Sequence, residues 1–214
     1  MITLYGVPGW GSAIGEVMLT LADMPYHFVD VDGFDQPGPQ HDVLLQINPL
    51  CQVPTLKLDD GRIMTETAAI ALMILDKRPE LAPAIRSPQR LLFQRLLIWL
   101  VANVYPTFTY ADYPERFAPG APEELRTRCI AYRKTLYQWL DGQLVGPYAV
   151  GEQLTLLDAY LVVMRSWGPR TEWFKANTPS ITAIADRVAL LPQLQKVLEE
   201  NKIISAQNAN PDVA

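Results

Sequence analysis

The sequence predicts an α/β segment built as βαβ then ββα, followed by an all-helical remainder. Three observations predict it. Two strand-like stretches, ITLYG at 2–6 and YHFVDV at 26–31, flank a run with Ile14, Val17, Met18 and Leu21 on one helical face. A pair of short strands, 54–58 and 62–64, surrounds the turn Asp59-Asp60-Gly61 and leads into an apolar helix. After Pro88 the apolar positions recur at helical spacing, with no further strand pattern.

Each element has its own signal. The loop VPGWGS follows the first strand, and the helix after it runs to about Ala22, where Met24-Pro25 breaks it. Residues 32–40 (DGFDQPGPQ) form a Gly/Pro-rich loop, and a short helix at 41–47 leads to Asn48-Pro49. The first region ends with a helix from Glu66 to Lys77. Residues 79–87 (PELAPAIRS) read as a Pro-rich linker. Helices are then expected at 88–105, 122–143, 155–166, 179–190 and 192–201. Breaks are expected at Pro106, Pro119-Gly120, Gly146-Pro147, Gly168-Pro169, Pro179 and Pro192. The expected domains are thus 1–78 and 88–214 with the linker 79–87 between them, and a frayed tail after Ser205.

Composition excludes several function classes. With 49% hydrophobic and 19% charged residues, the 214-residue chain holds ample core material. A net charge of −5 provides no general basic face for nucleic acid. The two cysteines, Cys51 and Cys129, and the two histidines, His27 and His41, form no metal-ligand spacing, so no metal is expected. Met1 leads straight into a strand without a basic and then apolar leader, which points to the cytoplasm. The longest apolar run, RLLIWLVANVY, is too short and interrupted to predict a bilayer span, so no membrane partner is expected.

The most informative stretch is Asn48–Asp76, NPLCQVPTLKLDDGRIMTETAAIALMILD. Val53 and Pro54 stand where main-chain groups can pair with an extended, peptide-like ligand. A cis Val53–Pro54 bond would turn the Val53 N–H and C=O outward for that purpose. Glu66 and Thr67 place a carboxylate, a hydroxyl and unpaired N–H groups at a helix N-terminus, which favours a bound anion.

The segments NPLCQVPTL, TETAAI and GEQLTLLDAYL, within this order of elements, closely resemble the cytosolic glutathione transferases, and the resemblance covers the whole chain. It implies a thioredoxin-like first domain and an all-α second one. It implies that Val53 pairs with the cysteinyl backbone of glutathione, that Pro54 is the cis-proline, and that Glu66 and Thr67 hold the γ-glutamyl end. Gln52 would reach toward the glycyl end or the γ-glutamyl carboxylate. The activity implied is attack of glutathione thiolate on a small hydrophobic electrophile, with glutathione as co-substrate and a homodimer as the assembly. The alternatives are a non-catalytic glutathione-binding or interaction module and a glutathione-dependent reductase or peroxidase. Two departures stand out. Cys51 occupies a position usually Gly, and Pro8-Gly9 is followed by Trp10-Gly11-Ser12 where related bacterial members have Ser or Cys directly. The thiol-activating residue is therefore displaced to Ser12 or absent.

Each candidate also has a structural reading. Ser12 suits an N-cap, and equally a hydroxyl donating to the glutathione sulfur. Trp10, between two glycines, is assigned to the electrophile pocket with Tyr105 and Phe108 from the aromatic-rich stretch. Trp99 is assigned to interdomain core, and Tyr5 to core. Glu66 could instead serve a helix capped by Thr65, but the Val-Pro strand before it favours ligand binding. Cys51 reads as a small residue in a tight loop, Cys129 as a packing or surface residue, and His41 as exposed. Thr155-Leu-Leu-Asp158 is a capping box, which makes Asp158 structural.

Overall fold

The computed structural model describes residues 1–205. The frayed tail expected after Ser205 lies outside them. The described chain divides into two compact units, Met1–Leu81 with the chain from Arg187, and Ala82–Asp186. The first boundary falls close to residue 78, whereas the last helices group with the first unit and not with the helices that precede them.

The first unit is the expected βαβ–ββα arrangement. Strand β1 (Ile2–Gly6), helix α1 (Ser12–Leu21) and strand β2 (Tyr26–Asp30) are followed by α2 (Pro39–Ile47), β3 (Thr55–Lys57), β4 (Ile63–Met64) and α3 (Thr67–Leu75). The four strands form one sheet in the order β2-β1-β3-β4. β1 runs parallel to β2 and antiparallel to β3, and β3 runs antiparallel to β4. Alternate residues Ile2 and Leu4 of β1 point into the core, the period-2 signature of a strand.

Nearly every residue of α1 is buried. It packs on β1 and α3, and also on the C-terminal helix α11 (Gln195–Glu200) with the short turn Pro192–Leu194 before it. A helix apolar on one face would leave its other side wet; here the chain end covers that side.

The second unit begins with α4 (Pro88–Trp99), whose N-cap Ser87 accepts the Arg90 N–H and whose first residue is proline. The break expected at Pro106 does not occur. Residues Leu100–Val104 form a π turn, closed by the Tyr105 N–H on the Leu100 carbonyl, and α5 (Tyr105–Asp112) continues from it. The wider turn makes room for the proline ring, which would clash in an α turn. The helical run Pro88–Asp112 is consequently long and apolar enough to cross a membrane by length and composition, contrary to the shorter run expected. Within this unit it packs on α7 (Pro122–Asp141) and α8 (Leu156–Met164). The short α6 (Pro114–Phe117), α9 (Thr171–Asn177) and α10 (Pro179–Ala189) complete the helices, α6 and α9 having no counterpart in the sequence reading.

Candidate functional site

The sheet register brings the expected ligand residues to one end of the first unit. Tyr5 pairs with Thr55 and Leu56 with Met64. Continuing those antiparallel registers by two residues places Val7 beside Val53, and Glu66 beside Pro54. The β1–α1 loop, the Val53–Pro54 dipeptide and the start of α3 therefore meet at the same sheet end. Side chains agree, since Val53 packs against a buried cluster of Val7, Val31, Phe34 and Leu44.

The Val53–Pro54 bond is cis. Among the described residues, the Val53 N–H and C=O make no hydrogen bond. The loop before them is fixed from within. Asn48, 6% exposed, donates from its amide to the Gln52 carbonyl and the Thr55 hydroxyl, and Thr55 donates to the Gln52 carbonyl. The Gln52 carbonyl is thus occupied while the residue stays exposed.

Glu66 has φ 62 and ψ 110, a left-handed conformation that costs a non-glycine residue free energy of order 1–3 kcal/mol. Thr65 does not cap α3: Glu66 is the N-cap residue, and no side chain caps the helix. Among the described residues the Thr67 hydroxyl and the first N–H groups of α3 lack partners. The Glu66 side chain is exposed beside them. A strained, uncapped helix start with a carboxylate suits a ligand carrying both an ammonium and a carboxylate.

The β1–α1 loop differs from what the sequence suggests. Ser12 is 0% exposed and is the first residue of α1, with Gly11 as N-cap. Its hydroxyl donates to the Val7 carbonyl and accepts the Val7 N–H, both at 2.9 Å. The one hydroxyl proton is already used, so as placed Ser12 has none to give a ligand sulfur. Its packing also explains Gly6, where a Cβ would lie 2.2 Å from the Ser12 Cβ. The N–H groups of Gly11 and Ser12 have no partner among the described residues and open the N-terminus of α1. Trp10 is 42% exposed and meets Phe34 edge-on at 5.8 Å between ring centroids.

His41 is half-buried, not exposed as expected. Its Nδ1 lies 2.7 Å from the Phe34 carbonyl, which can only accept, so that nitrogen carries the proton. The Cys51 Sγ lies 3.3 Å from the same nitrogen and 3.5 Å from the Phe34 carbonyl. Burial, with the Asp35 charge second, pushes the Cys51 thiol above its usual range, against a role as a reactive thiolate. Cys51 adopts φ 48, the left-handed backbone that a glycine would take without cost. Cys129 is buried packing.

Tyr105 and Phe108 lie in the other unit. Both contact Trp167 edge-on, with centroids 5.8 and 5.1 Å apart. Arg133, 4% exposed, places its guanidinium 3.5 Å over the Phe108 ring and donates to the Thr107 hydroxyl and carbonyl. Burial holds its pKa below the usual arginine range. Sequence reasoning left Trp167 unplaced and missed Arg133; a lone arginine on a charged helix carries no signal of burial. Trp99, assigned to interdomain core, stacks on Trp139 of its own unit at 4.2 Å. Tyr5 packs against the Val7 cluster as expected. Among the described residues, no group of three His, Cys, Asp or Glu is placed to hold a metal ion.

These features define a thioredoxin-like unit followed by a helical unit. The family model for the glutathione S-transferase N-terminal domain matches residues 15–77. The GST-like protein YncG of Escherichia coli strain K12 is 65% identical over 205 residues, covering 95% of this chain and 100% of YncG. Glutathione S-transferase GstA of Escherichia coli O157:H7 is 28% identical, covering 91% of this chain and 96% of GstA. Among solved structures, a sphingomonad glutathione S-transferase complexed with glutathione aligns with TM-score 0.75 at 27% identity, covering 94% of this chain and 100% of that one. A ternary complex of BphK, a bacterial GST, aligns with TM-score 0.78 at 29% identity, covering 94% and 99%. The chain belongs to the glutathione S-transferase family.

Proposed function

We propose that this protein binds glutathione at the sheet end described above and conjugates its thiolate to a small hydrophobic electrophile. The observation that carries the reading is the convergence there of unpaired Val53 main chain with an uncapped, strained helix start at Glu66–Thr67. Val53 would pair with the cysteinyl backbone, held in place by Pro54 behind it. Thr67 and the first N–H groups of α3 would take the γ-glutamyl carboxylate, and Glu66 its ammonium. Gln52 is free to reach a terminal carboxylate. The bound sulfur would sit at the N-terminus of α1, where the Gly11 and Ser12 N–H groups and the macrodipole favour thiolate over thiol. Ser12 in this reading shapes the loop through Val7 instead of touching sulfur. The thiolate sulfur then attacks an electrophilic carbon, the S–C bond forms, and a leaving group such as halide departs with the electron pair. In the first unit Trp10 is the proposed apolar wall for that partner; Tyr105 and Phe108 form an aromatic cluster with Trp167 within the second. In this proposal residues 1–78 are the glutathione-binding domain, grouped with the chain from Arg187, and Ala82–Asp186 is the second unit. A cytoplasmic homodimer is the proposed assembly.

One observation favours a second reading. With the Ser12 hydroxyl engaged on both sides, backbone groups alone remain to activate sulfur, which suits a non-catalytic glutathione-binding module. One experiment separates the two: thiolate absorbance of bound glutathione across pH, together with turnover of an aromatic halide. A lowered thiol pKa with turnover supports the transferase. Binding with an unshifted thiol and no turnover supports the binding module, and no binding refutes both.

A further inference from the structure

The β1–α1 loop is held from the far end of the chain. Gly9 donates its N–H to the Oδ1 of Asn201 at 2.8 Å, a contact between residues 192 positions apart. Asn201 is 2% exposed and caps the end of α11. Its Nδ2 donates at 2.9 Å both to Glu16 Oε1 of α1 and to the Val197 carbonyl. Tyr26 of β2 donates its hydroxyl to the other Glu16 oxygen at 3.1 Å. Every polar group of the Asn201 amide is therefore used. The Glu16 carboxyl and the Val197 carbonyl both accept, so the amide nitrogen must face them and the amide oxygen must face Gly9.

Glu16 is 4% exposed, and among the described residues no ion pair neutralises it. Such an arrangement costs free energy unless its hydrogen bonds are complete. Gly9 itself has φ +81, and a Cβ there would meet the Asn201 carbonyl oxygen at 3.1 Å. The loop backbone and the chain end thus fit against each other closely. Two residues beyond Gly9 lie the Gly11 and Ser12 N–H groups.

We propose that Asn201 is a positioning residue of the thiolate site: through Gly9 it fixes the loop that aims the Gly11 and Ser12 N–H groups at the glutathione sulfur. The inference rests on the reading of that loop as the sulfur site. It assigns a site function to a residue outside the part of the chain that the transferase N-terminal family model matches. The residue acts through the backbone and touches neither substrate.

Two variants test it. Asn201→Leu keeps the branched heavy-atom shape of the side chain and removes both hydrogen-bonding groups. Asn201→Asp keeps an oxygen to accept the Gly9 N–H and removes the amide donor to Glu16 and the Val197 carbonyl, so it isolates the Gly9 bond. The first readout is amide exchange of Gly9 by NMR without glutathione. It is expected to speed up about tenfold or more in Asn201→Leu, with β1 amides unchanged, and to stay near the parent in Asn201→Asp. The second is the pH profile of turnover with thiolate absorbance of bound glutathione. Asn201→Leu is expected to raise the bound thiol pKa by about one unit, cutting turnover about tenfold at neutral pH, with recovery as pH rises. KM for glutathione should stay within about threefold of the parent, because Val53, Glu66 and Thr67 are untouched. Asn201→Asp should restore the profile. Should Asn201→Leu fail to fold, Asn201→Ser removes the same bonds with room for water and is read the same way. Unchanged Gly9 exchange, or superimposed pH profiles in a folded variant, overturns the proposal. A parent that binds glutathione without lowering its thiol pKa overturns the sulfur-site reading and this inference with it.

Discussion

The helix starts at Thr155 and at Thr67 are built from the same chemistry, a hydroxyl and a carboxylate near free N–H groups, and they end oppositely. At α8 the box closes on itself. The Asp158 carboxylate, 0% exposed, accepts the Thr155 N–H at 2.7 Å, the Thr155 hydroxyl at 2.9 Å and the Ala149 N–H at 2.8 Å. At α3 nothing closes: Glu66 is exposed, its backbone is left-handed, and no side chain caps the helix. The difference is one of spacing. In Thr155-Leu-Leu-Asp158 the acid stands three residues after the hydroxyl and reaches back over one turn. In Thr65-Glu66-Thr67 the acid is the cap residue itself, and its side chain makes no cap hydrogen bond. A self-satisfied helix start is a stability device; an unsatisfied one at the end of a sheet is available to a ligand.

The largest expected effect breaks the closed box. Asp158→Ala orphans two buried N–H groups and a hydroxyl, each costing about 1–3 kcal/mol, partly offset by removal of a buried charge. A net loss of about 3–4 kcal/mol is expected in denaturant unfolding, with glutathione affinity unchanged in the protein that remains folded. A large affinity loss at normal stability would reverse the assignment of Asp158 as structural.

The same carboxyl predicts a pH dependence. Burial pushes it from 3.8 up to about 6, against the hydrogen-bond donors that pull it down. Because the folded-state pKa lies above the unfolded one, this contribution to stability is fully present below pH 3.8 and is lost as pH rises through about 6. At 1.36 kcal/mol per pKa unit the swing is about 3 kcal/mol. Unfolding free energies across that window should fall with pH in the parent and less steeply in Asp158→Asn. Glu16, also raised by burial, contributes with the same sign and leaves a residual slope in the variant. A profile identical in both proteins would remove the group from the account.

Opening the comparison at the other start has a smaller effect, and on binding instead of folding. Glu66→Ala and Thr67→Ala should each weaken glutathione by about 1–3 kcal/mol in calorimetry while the melting temperature barely moves. Unchanged affinity in both would place the tripeptide elsewhere. The smallest effect concerns Ser12. Loss of its two bonds to Val7 should cost Ser12→Ala about 1–2 kcal/mol of stability. The pH profile of turnover should keep the parent's midpoint. A midpoint displaced upward in a stable Ser12→Ala protein would return the hydroxyl to the sulfur.

Much of this was legible in one dimension. The strand–helix alternation, the Asp59-Asp60-Gly61 turn and the Thr155–Asp158 box follow from period, turn chemistry and residue spacing, all local properties. The α3 start was legible too, because Thr-Glu-Thr follows a Val-Pro strand at a fixed short distance. Other features were not. Pro106 signals a break, yet the π turn at Leu100–Val104 carries the helix through, since packing against α7 and α8 repays the irregular turn. Ser12 has the position expected of a thiol-binding residue, but burial directs its hydroxyl to Val7. His41 gained a carbonyl partner that no local pattern announces.

The sequence by itself determined the kinds of element, their order, the closed cap at α8 and the open helix start at α3. It did so because hydrogen bonds one turn apart and side-chain periodicity need no distant partner. Tertiary structure decided which groups at the β1–α1 loop remain available and which are consumed. It did so because that loop is held by Asn201, 192 residues away from Gly9, and contacts that far apart in the chain leave no periodic trace in the sequence.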